Sequence, residues 1–90
     1  MRRLLIIGCG DVGLRLAKVL KGRWRVYALT HSQNRYPTLR AQGVMPVPGD
    51  LDRPETLHRI AGLAQDVVHL APPPGSGARD TRTNNLIRAL

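Results

Sequence analysis

The stretch Leu4-Leu5-Ile6-Ile7-Gly8-Cys9-Gly10-Asp11-Val12-Gly13 decides the fold. A short continuous apolar run that ends in glycine is the mark of a strand buried on both faces. Gly8, Gly10 and Gly13 then fit the spacing G-x-G-x-x-G, and a helical pattern opens at Asp11, so the glycines occupy a strand–turn–helix corner. In such a corner Gly8 permits the tight turn, Gly10 lets backbone approach a pyrophosphate, and Gly13 allows the helix to pack closely on the strand. The start of the helix adds unpaired N–H groups and a positive dipole end, which suit phosphate. Cys9 stands among them as a small spectator, because the chain has no second cysteine to pair with it.

Working outward, the periodicity alternates between helix and strand. Asp11 to Lys21 reads as a helix with Val12, Leu16, Val19 and Leu20 on one stripe beside the small Gly13 and Ala17, ended by Gly22. Arg25 to Thr30 reads as a second strand. A short helix over Thr38 to Gln42 and a third strand over Val44 to Val47, weakened by Pro46 and Pro48, follow it. Asp52-Arg53-Pro54-Glu55 has the spacing of a helix cap and predicts a helix to about Ala61, stopped at Gly62. Val67 to Ala71 is the fourth apolar strand, and Thr81 to Leu90 is helical in pattern. Short helical connections between apolar strands imply an α/β fold, a three-layer α/β/α sandwich on a parallel sheet of about four strands in the order 3-2-1-4. The pattern is that of one dinucleotide-binding domain over residues 1–90, incomplete at its C-terminal side.

Ninety residues, 42% hydrophobic, bound the chain to one small domain and exclude a disordered basic tail. The core has to be aliphatic, since Phe is absent and Trp24, Tyr27 and Tyr36 are the only aromatics. The balance of 14 Lys+Arg against 6 Asp+Glu gives a formal charge of +8. That charge raises the question of nucleic acid, but the basic residues are spread over helices and loops without interleaved aromatics, and no nucleic-acid-binding signature appears, so no specific nucleic-acid partner is expected. No apolar run reaches the length of a membrane span, and the run after Arg2-Arg3 is too short for a signal peptide, so a cytoplasmic chain without membrane contact is expected.

A site for NAD calls for a carboxylate on the adenosine ribose at the end of the second strand. Here that place reads Ala28-Leu29-Thr30-His31-Ser32-Gln33-Asn34-Arg35, and no carboxylate stands between Asp11 and Asp50. Thr30 and Ser32 offer hydroxyls while His31 and Arg35 offer cations, a set suited to a ribose 2′-phosphate; NADP is therefore favoured over NAD. Asp50 and Leu51 follow the third strand on the adenine side, where a carboxylate accepts from the adenine amino group and a leucine packs on the ring. Leu70, Ala71 and Pro72 leave the fourth strand at its carboxyl end, where open α/β sheets bind ligands. His58 and His69 read as structural, having no metal-ligand company.

Leu5-Ile6-Ile7-Gly8-Cys9-Gly10-Asp11-Val12-Gly13, the Gly49-Asp50-Leu51 step and Val67-Val68-His69-Leu70-Ala71-Pro72-Pro73 together resemble the NAD(P)-dependent epimerase/dehydratase group of extended and atypical short-chain dehydrogenase/reductases. The resemblance covers the N-terminal, nucleotide-binding part of such a protein. It implies dinucleotide binding through Gly8, Gly10, Gly13, Thr30 to Ser32, Asp50, Leu51, Leu70 and Ala71. The glycine spacing departs from that group's commoner G-x-x-G-x-x-G, which points to an atypical branch. It carries over no catalytic residue: the group's Tyr-x-x-x-Lys pair is met here by Tyr27 with His31 and Tyr36 with Arg40. An alternative resemblance, over residues 1 to 66, is to the regulatory RCK domains of potassium channels and transporters, non-enzymatic nucleotide sensors that share the glycine loop and the Gly49-Asp50 step. Those domains are expected to carry an acid where Thr30-His31-Ser32 stands.

A sheet in the order 3-2-1-4 leaves the fourth strand as an open edge, a template for pairing with another chain. Either marginal stability or dimerisation, through that edge or through the last helix, is therefore expected.

Overall fold

The computed structural model describes residues 2–8, 10–70 and 81–90, with the backbone alone for 81–84. The order of elements is β1 (Arg2–Ile7), α1 (Asp11–Leu20), β2 (Trp24–Thr30), a 3₁₀ turn (Gln33–Arg35) running into α2 (Tyr36–Ala41), β3 (Val44–Pro48), a second 3₁₀ turn (Pro54–Thr56), β4 (Asp66–His69) and α3 (Thr81–Ala89). The four strands are all parallel and ordered β3-β2-β1-β4, as the sequence implies. Leu5 sits between Tyr27 and Val67, and Ile7 between Leu29 and His69. The central position of β1 explains its unbroken apolar run, since Leu4, Leu5, Ile6 and Ile7 are all buried.

The two sheet faces carry separate aliphatic cores. Leu4, Ile6, Val26, Ala28 and Val44 meet Ala17 of α1 and Leu39 of α2 on one face. Leu5, Ile7, Leu29 and Val47 meet Leu51, Leu57, Ile60 and Leu86 on the other. The prolines of β3 are accommodated because β3 is an edge. Gly49 donates its N–H inward to the Thr30 carbonyl at 3.1 Å, so residues 46 and 48, of opposite parity, turn their missing N–H outward.

Two helical expectations are corrected. On α1 the side facing the sheet is Gly13 and Ala17, with Leu14, Leu16 and Leu20 at its margins, while Val12 and Val19 are 65% and 75% exposed. Small residues four apart let the helix lie close to the strands, and that rotates the larger valines of the expected stripe outward. The helix expected from Asp52 to Ala61 is not formed. Beyond Pro54–Thr56 the chain makes successive i→i−3 turns, Leu57 to Pro54, Ile60 to Leu57 and Leu63 to Ile60, at 3.0–3.2 Å. Apolar residues three apart are brought to one side by such turns. The residue that precedes the turn is Arg53, one position after the expected Asp52, and its side chain makes no cap bond. Smaller shifts concern ends: α2 begins at Tyr36 rather than Thr38, and β4 runs Asp66–His69.

Candidate functional site

The carboxyl ends of β1, β2 and β3 open onto a cleft of about 530 Å³ lined by Gly8, Gly10, Asp11, Val12, Thr30, His31, Ser32, Arg35, Asp50, Leu51 and Leu70. Every described residue expected at the site lines it except Gly13, which is buried in α1 beneath it. Cys9, Ala71 and Pro72 lie outside the described residues. Ile7, Leu29, Leu39 and Asp52 also line the cleft and were not singled out from the sequence. The first three belong to the aliphatic cores, and an apolar residue gives no sign in sequence that its tip reaches a cavity floor.

At the glycine corner, Gly8 takes φ +84°, a conformation that favours glycine. Gly10 donates to the Gly8 carbonyl at 2.9 Å and accepts the first helical bond, from Leu14, also at 2.9 Å. The amides of Asp11, Val12 and Gly13 therefore precede the helical ladder, and the N-cap residue, Gly10, offers them no side-chain cap. A Cβ on Gly10 would meet nothing within 4 Å, so the space in front of it is open. A phosphate would find there free N–H groups and the positive end of the helix dipole. The Asp11 carboxylate is the one unfavourable charge beside it among the described lining residues of this corner.

At the end of β2, Ser32 donates its amide to Thr30 Oγ1 at 3.2 Å, which turns the chain and sets both hydroxyl side chains beside the cleft. Arg35, from the 3₁₀ turn that follows, lines the same corner, so His31, Ser32 and Arg35 are brought together. On the third side, Gly49 lies so close to the core that a Cβ would stand 2.5 Å from Leu29 Cδ1. That close approach seats Asp50 and Leu51. Thr56 Oγ1 accepts the Asp50 amide at 2.8 Å and donates to the Arg53 carbonyl at 2.7 Å, while Asp50 Oδ1 accepts the Asp52 amide at 2.9 Å. Asn85 of α3 donates to the Leu51 carbonyl at 2.7 Å and so ties the last helix to this wall, a contact without a motif in the sequence.

A donor-rich phosphate corner, a hydroxyl-and-cation corner and an apolar wall bearing a carboxylate suit the parts of a dinucleotide, and the cleft has the size usual for small-ligand sites. Among the described residues the lining includes no tyrosine or lysine. No group of three His, Cys, Asp or Glu among the described residues is placed to hold a metal ion. No helix among them is long and apolar enough to cross a membrane.

Comparison with known proteins gives one family: residues 4–71 match the TrkA-N domain. No curated protein sequence matches the chain. Among solved structures, saccharopine dehydrogenase (L-Glu forming) of Saccharomyces cerevisiae superposes with a TM-score of 0.74 at 16% identity, over 99% of this chain and 19% of that one. An isoflavone reductase gives 0.69 at 21% identity, over 98% and 31%. ChuY, an anaerobillin reductase of Escherichia coli O157:H7, gives 0.61 at 19% identity, over 97% and 46%. At these identities the likeness is one of fold, and this chain spans less than half the length of each.

Proposed function

The chain belongs to the TrkA-N domain family of Rossmann-type NAD(P)-binding domains, and from that premise we propose that it is the NADP-preferring cofactor-binding part of a reductase- or dehydrogenase-like protein. The observation that carries the preference is the corner after β2, where Thr30, His31, Ser32 and Arg35 line the cleft in the place an NAD site gives to a carboxylate. In this reading the amides of Asp11 to Gly13 hold the pyrophosphate, and the β2 corner holds the ribose 2′-phosphate. Leu51 packs on the adenine ring, Asp50 accepts from its amino group, and Leu70 with Ala71 and Pro72 borders the nicotinamide side. The bound nicotinamide supplies hydride transfer, while the residues of this chain bind and orient it. The acid–base groups and the substrate contacts then come from outside residues 1–90, as in an enzyme of the epimerase/dehydratase or a related reductase group. The lengths of the structural neighbours support that division.

Arg35→Gln tests the reading. A charge-assisted contact contributes about 1.5–3 kcal/mol, or roughly 10- to 100-fold in affinity. NADPH binding should fall by that factor while NADH binding stays within about twofold, since NADH has no 2′-phosphate to lose. An equal loss for both cofactors would remove the proposed role of this corner. Self-association through the β4 edge or α3, where Ile87 and, just past the helix end, Leu90 are exposed, completes the proposal. Light scattering that shows a monomer at all concentrations would remove that part.

A further inference from the structure

At the other end of the sheet, away from the cleft, lies a surface that dinucleotide binding leaves unexplained. The chain enters β1 and β2 through Arg2, Arg3, Arg23 and Arg25, and leaves α1 and α2 through Lys18, Lys21 and Arg40. Arg3 and Arg25 are cross-strand partners, an arrangement of like charges that costs stability. The Lys21 side chain runs beside Gly43, its Cε 3.8 Å from where a Cβ of Gly43 would be. Among the described residues, Asp66 at this end of the sheet is already held by Arg2 at 2.6 Å, and the other ion pair, Arg53–Glu55, lies elsewhere. Arg3, Lys21, Arg25 and Arg40 therefore make no ion pair among the described residues.

Within this basic field is a hollow of about 390 Å³ bounded by Arg25, Val26, Arg40, Gly43, Val44 and Met45. Val26 and Val44 are buried floor, and Met45 stands 54% exposed at the mouth. An aliphatic hollow with an exposed, adaptable methionine and two arginines at its rim matches one kind of ligand: an aliphatic side chain flanked by carboxylates. The aromatics nearby are not free platforms for bases, because Arg2 covers the Trp24 ring and Arg40 the Tyr36 ring, at 5.5 and 5.7 Å from their centroids. Single-stranded nucleic acid, which relies on such platforms, fits less well. Strand addition is also blocked at this edge, since Pro46 and Pro48 turn outward without N–H groups. A partner has to dock through side chains.

We infer that the hollow between Arg25, Arg40 and Met45 is a docking site for an acidic, leucine-type peptide segment of a partner protein, separate from the cofactor cleft. The test uses the full chain and three labelled probes: a short peptide alternating Asp and Glu with Leu, the same peptide with Ser for Leu, and a thymidine oligonucleotide of equal charge. Fluorescence anisotropy should show the leucine peptide binding most tightly, with binding weakened by salt and unaffected by NADPH. Arg25→Glu with Arg40→Glu should weaken it by about tenfold or more, and Met45→Ser by a few-fold. Arg59→Glu with Arg88→Glu, the same charge change elsewhere on the surface, should preserve most of the binding. Circular dichroism and melting of each variant separate loss of the site from loss of the fold. Equal binding of the serine peptide, tighter binding of the oligonucleotide, equal loss in the Arg59/Arg88 variant, or no binding by the leucine peptide would each overturn the inference.

Discussion

Replacing Gly49 by alanine probes the joint between the core and the cofactor wall. The added Cβ would stand 2.5 Å from Leu29 Cδ1, 3.3 Å from the Thr56 carbonyl oxygen and 3.4 Å from Leu57 Cδ2. Leu57 is fully buried, and Leu29, though buried by its core neighbours, borders the cleft, so only Leu29 has room to yield and the strain is relieved in part. Overpacking of this kind costs about 1–3 kcal/mol. For a domain of this size 1 kcal/mol moves Tm by roughly 4–8 °C, so Gly49→Ala should melt roughly 5–20 °C lower. The atom responsible for the severe contact is a leucine terminus, which gives a second arm. Leu29→Val alone should cost about 1 kcal/mol, as removal of one buried methylene does. In the double variant the alanine gains room, and the two costs should fall short of additivity by about 1 kcal/mol. Thermal and urea unfolding of the four proteins completes the cycle. A Gly49→Ala protein that melts within about 2 °C of the parent, or strictly additive costs, would refute the packing argument.

Gly10→Ala is the opposite case: with nothing within 4 Å of the new Cβ, stability should change by less than about 1 kcal/mol while NADPH affinity falls about tenfold or more, as read by melting and calorimetry together. Asn85→Ala removes the 2.7 Å bond to the Leu51 carbonyl and should cost about 1 kcal/mol in urea unfolding, with a few-fold loss of NADPH affinity as the wall loosens; unchanged stability and affinity would refute the tether. The Arg2 side chain, by its hydrogen bond and its charge, holds the Asp66 carboxyl below the ordinary carboxylate range. A depressed folded pKa stabilises above the unfolded pKa, and that contribution is lost as pH falls through the folded one. The Tm gap between the parent and Asp66→Asn should therefore be present at neutral pH and close in acid, and a gap that persists below the titration of Asp66 would refute the pairing.

Much of this structure is legible in the sequence because its decisive signals are local. The run Leu4 to Ile7 followed by Gly8, Gly10 and Gly13 specifies a central strand and the corner after it, and β1 does lie between β2 and β4. Thr30 to Arg35 and Asp50-Leu51 could be assigned to the cleft because parallel strands deliver their carboxyl ends to one side. What escaped depends on distance and on size. The segment after Pro54 has apolar residues at Leu57, Ile60 and Leu63, a spacing of three that an amphipathic helix and a chain of tight turns satisfy equally. The choice is made by Thr56, whose hydroxyl accepts from the Asp50 amide and donates to the Arg53 carbonyl, and by Gly62 at φ +73°. On α1 the hydrophobic pattern favoured the valines, but the close approach to the sheet favoured Gly13 and Ala17. Asn85 reaches Leu51 across 34 residues, and no periodicity encodes such a bond.

The most direct measurement is calorimetric titration of NADPH and of NADH into the chain at low and at moderate salt. The account predicts that both bind, that NADPH binds about tenfold or more tightly than NADH, and that the gap narrows as salt screens the contacts of His31 and Arg35 with the 2′-phosphate. Equal affinities, a preference for NADH, or binding of neither cofactor would contradict it.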